Sequence, residues 1–183
     1  MLRPVELEAY GLLLRPWEET ADDLEAALRG LGDPDFRRWN TAHAPDPDEA
    51  GAQGFLRRRR DGWAAGDLAS FAVTEAGVVL GQAGIGAIDR TMRGARVSYW
   101  MLSEARGRRV ASRALEAVTR WAFRDLGLHR LELGHAVGNE PSCGVARRCG
   151  YVLEGVLRDA MVDLSGALQD VHLHSRLATD PHP

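Results

Sequence analysis

Ser98-Tyr99-Trp100-Met101-Leu102-Ser103-Glu104-Ala105-Arg106-Gly107-Arg108-Arg109-Val110-Ala111-Ser112-Arg113 carries a strand into a loop and the loop into the start of a long helix. A loop entering a helix in this way gathers unpaired backbone N–H groups and the positive end of the helix dipole at one point. Arg106, Arg108, Arg109 and Arg113 add four positive charges within eight residues. Basic residues at a helix start oppose the dipole, so the pattern points to a bound anion carrying phosphate. The competing reading is a solvated basic helix start. The segment is no nucleoside-triphosphate loop, because G-x-x-x-x-G-K-[ST] is absent, and no G-x-G-x-x-G follows the strand.

Downstream, Ala111, Ala114, Leu115, Val118, Trp121, Ala122 and Leu126 hold one apolar stripe at helical spacing, and Gly127 ends it. Leu131, Leu133, His135 and Val137 then alternate as a strand. A short helix is expected over roughly 141–149 with Gly150 at its cap, followed by strands at about 151–157 and 169–177. Upstream, Val97 to Leu102 is preceded by strands over 68–74 and 78–88. A short strand ends at Pro16, and Thr20 with Asp23 reads as a capping box for a helix closed by Gly30 and Gly32. Asp46-Pro47-Asp48-Glu49 opens a second helix to about Gly62, and the turn formers between Phe36 and Pro45 read as a surface loop. The order gives an α+β class, with a central strand-helix-strand unit and antiparallel flanks.

The 183 residues suit one domain, taken as 1–183 with the binding core at about 97–151. A chain of this size buries roughly two-thirds of its unfolded surface and needs no staple. Cys143 and Cys149 have no CxxC spacing and fit a reducing compartment. The first residues are too acidic for a signal peptide, and no stretch reaches the ~20 apolar residues of a membrane helix. The expected location is the cytoplasm, without membrane association. A net charge of −3 gives no support for nucleic acid.

The segment 106–111 resembles the coenzyme A pyrophosphate loop of the GNAT superfamily of N-acetyltransferases, [QR]-x-x-G-x-[GA]. Arg106 takes its first place and Ala111 its last, while Arg109 replaces the glycine. An arginine there is expected to hold ordinary helical backbone in the first turn. Asn139-Glu140-Pro141-Ser142 through Val145 to Gly150-Tyr151 is similar to N-x-x-S-x-x-V-x-x-x-x-G-[FY] of the RimJ/RimL-like branch, which acetylates ribosomal-protein α-amines. Leu14-Arg15-Pro16-Trp17, Glu154-Gly155, Arg158-Asp159 and Asp170 before Ser175-Arg176-Leu177 also fit that branch, so the resemblance covers nearly the whole chain.

The resemblance implies a GNAT fold: a mixed, mostly antiparallel central sheet with a splayed parallel strand pair, flanked by helices on both faces. It implies acetyl-CoA as acetyl donor and a primary amine as acceptor, either a protein N-terminus or a small amine, and often a homodimer. Trp100, Met101, Leu102, Arg106, Gly107, Arg108, Arg109, Val110, Ala111 and Ser112 would contact the coenzyme. A backbone N–H near Trp100 or Met101 would polarise the thioester carbonyl. Asn139 would orient the coenzyme and Ser142 would sit near its sulfur. Helix capping explains both residues equally well.

The branch often carries glutamate where Arg96 stands, which leaves the base unassigned among Glu104, Glu132, His135 and Asp89. His135 shares the parity of Leu131 and Leu133 and also reads as a satisfied core histidine. Arg57–Arg60 read as a solvated helix face. Trp39, Trp63 and Phe71 fit an acceptor pocket or a core. His172 and His174 share a strand face, but no cysteine or carboxylate partner lies near them in sequence, so no metal is expected. The reading from another class is a non-catalytic acyl-CoA-binding sensor module.

Overall fold

The computed structural model describes residues 2–181 of the chain. In chain order its strands are β1 (Leu7–Ala9), β2 (Leu12–Pro16), β3 (Leu68–Glu75), β4 (Val78–Asp89), β5 (Gly94–Met101), β6 (Arg130–Ala136), β7 (Val152–Val162) and β8 (Leu168–Leu177). Its helices are α1 (Ala21–Gly32), α2 (Pro34–Trp39), α3 (Glu49–Ala65), α4 (Val110–Arg124) and α5 (Glu140–Arg148), and a 3₁₀ turn spans Ser103–Ala105. The strands form one sheet in the order β1-β2-β3-β4-β5-β6-β8-β7. Neighbours pair antiparallel except β5 and β6, which run parallel. This is the expected mixed, mostly antiparallel sheet.

The central strands are apolar on both sides because helices cover both faces. Phe71 and Val73 of β3, with Ala83 and Ile85 of β4, join Ala114, Leu115, Val118 and Trp121 of α4 in one core. Ala72 and Val79 meet Ala27 and Leu31 of α1 and Phe55 and Leu56 of α3 in a second core. Trp63, at the end of α3, belongs to the first core, 5.2 Å from the Phe71 ring and 5.9 Å from Trp121. Trp63 and Phe71 are thus core rather than an acceptor wall. The edge-to-face Trp63–Phe71 pair adds about 0.5–1.5 kcal/mol beyond its area.

Several local expectations change. Residues 34–39 form a helix rather than a loop: Asp33 Oδ1 accepts from the N–H groups of Asp35 and Phe36, and Pro34 sits where its missing N–H costs nothing. Thr20 caps α1 by accepting from the Asp23 N–H, but Asp23 does not complete a capping box. Its buried carboxylate instead takes two hydrogen bonds from Arg15 and one from the Glu18 N–H, because a paired guanidinium satisfies a desolvated charge better. Gly30 lies inside α1, where a Cβ would come within 2.4 Å of the Trp100 ring. β1 had no sequence signal beyond Tyr10-Gly11, whose left-handed φ values of 56° and 73° make the hairpin turn to β2. Arg59 departs from the solvated arginine run: it stacks on Phe55 at 4.3 Å, and burial pushes its pKa down to about 10. Among the described residues no helix is long and apolar enough to cross a membrane.

Candidate active site

The parallel pair β5–β6 holds register only at Gly94↔Arg130, Ala95↔Leu131 and Arg96↔Glu132. Beyond Arg96 the two strands part, while β5 stays paired to β4 through Met101 and β6 stays paired to β8 through Ala136. A wedge-shaped gap therefore opens in the middle of the sheet, with the edge of β5 running along it. The Leu102 N–H donates to the Leu80 carbonyl at 2.9 Å, on the β4 side. Antiparallel pairing alternates direction residue by residue, so Trp100 also faces β4 and the Met101 N–H faces the gap. Side chains alternate too. Trp100 packs against Trp17, Phe36 and Phe55 on the α1–α3 face, whereas Tyr99 and Met101 join the α4 core.

At the wide end of the gap the chain turns through the 3₁₀ segment into α4. Gly107 has φ 73°, and Arg109, the residue before the helix, has φ 58° and ψ 20°. The expectation of ordinary helical backbone at Arg109 is therefore corrected: it holds the left-handed conformation that a glycine would adopt freely. The first intrahelical bond runs from the Arg113 N–H to the Arg109 carbonyl at 3.0 Å. The N–H groups of Val110, Ala111 and Ser112 precede it, and no side chain of Arg109 caps them. These donors and the positive end of the helix dipole point the same way, an arrangement that can receive an anion.

Three of the four loop arginines are held by the protein's own carboxylates, which weakens the charge argument made from sequence. Arg106 pairs with Asp33 at 2.5 Å and Asp35 at 2.9 Å, and also donates to the Met101 carbonyl at 3.1 Å. Arg108 and Arg113 both pair with Glu75 at the end of β3. Among the described residues Arg109 makes no ion pair. These three arginines brace the loop against α2 and β3.

On the opposite wall, Asn139 precedes α5 and its Oδ1 accepts from the Ser142 N–H at 3.2 Å, so its capping role is real. Ser142 is half-buried, and its carbonyl lies 3.5 Å from the Tyr99 hydroxyl across the gap. Burial pushes the Tyr99 phenol up to about 12, which keeps it protonated near neutral pH. Sequence reasoning did not single out Tyr99, although its parity with Met101 carried that information. Cys149 is packed beneath α4, its thiol pushed up to about 11 by burial, so it is no nucleophile.

The acidic candidates are occupied. Glu104 bonds its own backbone N–H and accepts from Arg29 at 2.5 Å, which holds its carboxyl below the ordinary range. Glu132 lies at the last paired position, 3.1 Å from Arg130 and 3.7 Å from Arg96. Asp89 sits opposite Gly94, at the closed end of the pair, and accepts from the Met92 N–H. His135 is buried on β6 beside the open gap, and that burial lowers its pKa. Rather than a lone core histidine, it lies among His172, His174 and Cys143, whose ligand atoms all fall within 4.8 Å of one another. The cysteine that His172 and His174 lack in sequence is supplied by α5.

The sequence model of the Acetyltransferase (GNAT) domain matches residues 11–152. The chain belongs to the GNAT acetyltransferase family. In that family it is 32% identical over 101 residues to YdaF of Bacillus subtilis (strain 168), covering 55% of each chain. It is 32% identical over 90 residues to the ribosomal-protein-serine acetyltransferase of Escherichia coli (strain K12), covering 49% of this chain and 50% of that one. The matched stretch thus spans about half the length of these curated relatives. Mycobacterium smegmatis RimJ in complex with CoA-disulfide shares the fold with TM-score 0.83 at 24% identity, over 96% of this chain and 87% of that one. RimL, the ribosomal L7/L12 alpha-N-protein acetyltransferase, does so with TM-score 0.84 at 19% identity, over 95% and 94%. These two solved structures show that the overall fold is shared along nearly the whole chain.

Proposed function

We propose that this protein moves an acetyl group from acetyl-CoA to a primary amine by direct attack in a ternary complex. The observation that carries the reading is the open edge of β5, with the Met101 N–H facing a gap that leads to the uncapped start of α4. An extended amide-bearing arm can pair with that edge as a strand would, leaving its pyrophosphate at the N–H groups of Val110, Ala111 and Ser112. Trp100 and Leu102 fix the edge, and Arg106, Gly107, Arg108 and Arg109 shape the loop. The Met101 N–H donates to the thioester oxygen as the amine nitrogen bonds to the carbonyl carbon. The carbon–sulfur bond then breaks, and the Ser142 hydroxyl, which the Asn139 cap holds beside the gap, passes a proton to the thiolate while taking one from water. Because Glu104, Glu132 and His135 are engaged elsewhere, the amine gives its proton to water.

The acceptor we favour is a protein N-terminal α-amine, as the names of the ribosomal-protein acetyltransferase relatives suggest. The acceptor end would be bounded by residues 36–45, with Trp39, and 159–167. These two segments meet in an antiparallel bridge at Thr41 and Asp163. Ser142→Ala is expected to lower kcat by about 10²-fold while calorimetric acetyl-CoA affinity stays within a few-fold, the pattern of a lost proton donor. A kcat near that of the unaltered protein would leave Ser142 a capping residue only.

Arg109→Gly should relax a left-handed arginine worth about 1–2 kcal/mol, against a glycine entropy cost of about 0.5–1 kcal/mol. Urea unfolding is expected to show a net gain of up to about 1.5 kcal/mol. Arg109→Ala, which keeps the strain, should show none.

A further inference from the structure

Beside the acetyl-transfer gap, and independent of that reading, His135, His172 and His174 on β6 and β8 converge with Cys143 on α5. His135 and His172 are directly opposed across the two strands, and His174 lies two residues along the same face, opposite Leu133. His135, His174 and Cys143 are 8%, 1% and 8% exposed, so three of the four groups are withdrawn from water.

The ring nitrogens fix their own tautomers. His135 Nδ1 lies 2.9 Å from the Ala136 carbonyl, and His174 Nδ1 lies 3.3 Å from the Tyr151 carbonyl. A carbonyl only accepts, so each Nδ1 carries the ring hydrogen and each Nε2 presents a bare lone pair. Yet those two Nε2 atoms face each other at 3.2 Å. Two lone pairs at that distance repel unless a cation lies between them. Settling the conflict with an extra proton would leave a buried imidazolium without a carboxylate among the four groups.

Two nitrogens bound tetrahedrally to one zinc ion at about 2.0–2.1 Å stand about 3.3–3.4 Å apart, close to the observed spacing. The carbonyl acceptors behind both rings are also what metal-bound imidazoles use to fix their orientation. His172 adds a buried Nδ1 with no hydrogen-bond partner among the described residues.

We propose that these residues form a structural zinc site, with three neutral imidazoles and the Cys143 thiolate as ligands. On binding, the Cys143 thiol releases its proton to solvent and the sulfur bonds the ion. Nitrogen and sulfur donors select zinc over the hard, oxygen-seeking cations magnesium and calcium. Four protein ligands close the coordination shell, so the ion would staple α5 to β6 and β8 rather than act on substrate. Ser142, next to Cys143, and the Asn139 cap would be held by that staple.

The test is a Co²⁺ titration of the metal-free, tag-free chain, followed by displacement with Zn²⁺. The expected result is saturation at one equivalent, with the intense visible bands of tetrahedral cobalt and a thiolate-to-cobalt charge-transfer band in the near-ultraviolet. Cys143→Ser should remove the charge-transfer band, and His172→Ala should weaken zinc by more than about tenfold. Both variants should keep the circular dichroism of the unaltered chain, since serine nearly matches the volume of the buried Cys143 and His172 is only half-buried. Zinc should also raise the thermal midpoint of the unaltered chain and not that of Cys143→Ser. No absorption at one equivalent, or an identical spectrum in Cys143→Ser, would overturn the assignment.

Discussion

Replacing Glu116 with alanine is expected to lower the unfolding free energy by about 3–5 kcal/mol, a large share of the stability of a domain this size. Arg176 on β8 is 1% exposed, and its guanidinium donates to Glu116 Oε2 at 2.6 Å and to the Cys149 carbonyl at 2.9 Å. The arrangement joins α4, the end of α5 and β8 across the face that carries the candidate site. Arginine does not surrender its charge on burial. Removing the carboxylate takes the Glu116 oxygens away from a desolvated cation, and that penalty exceeds what the ion pair itself contributes. Glu116→Gln keeps an oxygen acceptor of similar shape and should cost less, about 1–3 kcal/mol. Arg60→Ala breaks an exposed pair with Glu19 and should cost less than about 1 kcal/mol. Urea unfolding followed by circular dichroism ranks the three. A Glu116→Ala loss no larger than that of Arg60→Ala would contradict the penalty assigned to the buried pair.

Met101→Pro should reduce kcat by about 10²–10³-fold, because it deletes the one backbone donor assigned to the thioester oxygen. Proline is tolerable at this position for a specific reason. The Met101 N–H faces the gap and makes no ladder bond to β4, so its removal leaves the sheet paired. Met101→Leu keeps the N–H and nearly the same volume and should retain most of the rate. Steady-state kinetics on both variants, with folding verified by near-ultraviolet circular dichroism, isolates the backbone donor from the side chain. Equal rates for the proline and leucine variants would place the oxyanion donor elsewhere.

What could be read from the sequence was whatever repeats at a fixed period. The stripe from Ala114 to Ala122 placed α4, and the alternation through Leu131, Leu133 and His135 placed β6, because burial on one face leaves that pattern in the chain. The Asn139 and Ser142 pair was legible as a cap for the same local reason. Contacts between distant residues were not legible. Nothing near Arg106 announces Asp33 and Asp35, more than seventy positions earlier, and nothing near Arg113 announces Glu75. The left-handed backbone of Arg109 is set by the turn into α4, and an arginine there gives no local sign of it. The convergence of Cys143 with three histidines depends on α5 folding back over β6 and β8, a tertiary event that spacing along the chain conceals. In residues 34–39 the Asp-Pro-Asp start signal was present, but the turn formers after it outweighed it.

The most direct test of the proposed activity is amine-dependent release of free coenzyme A thiol from acetyl-CoA, measured with peptides bearing free α-amino groups and with small amines. Thiol release should saturate with a peptide N-terminus, and mass spectrometry should find the acetyl group on that α-nitrogen. Saturable acetyl-CoA binding with no thiol release on any acceptor would contradict the proposed activity and leave the chain an acyl-CoA-binding module on a transferase scaffold.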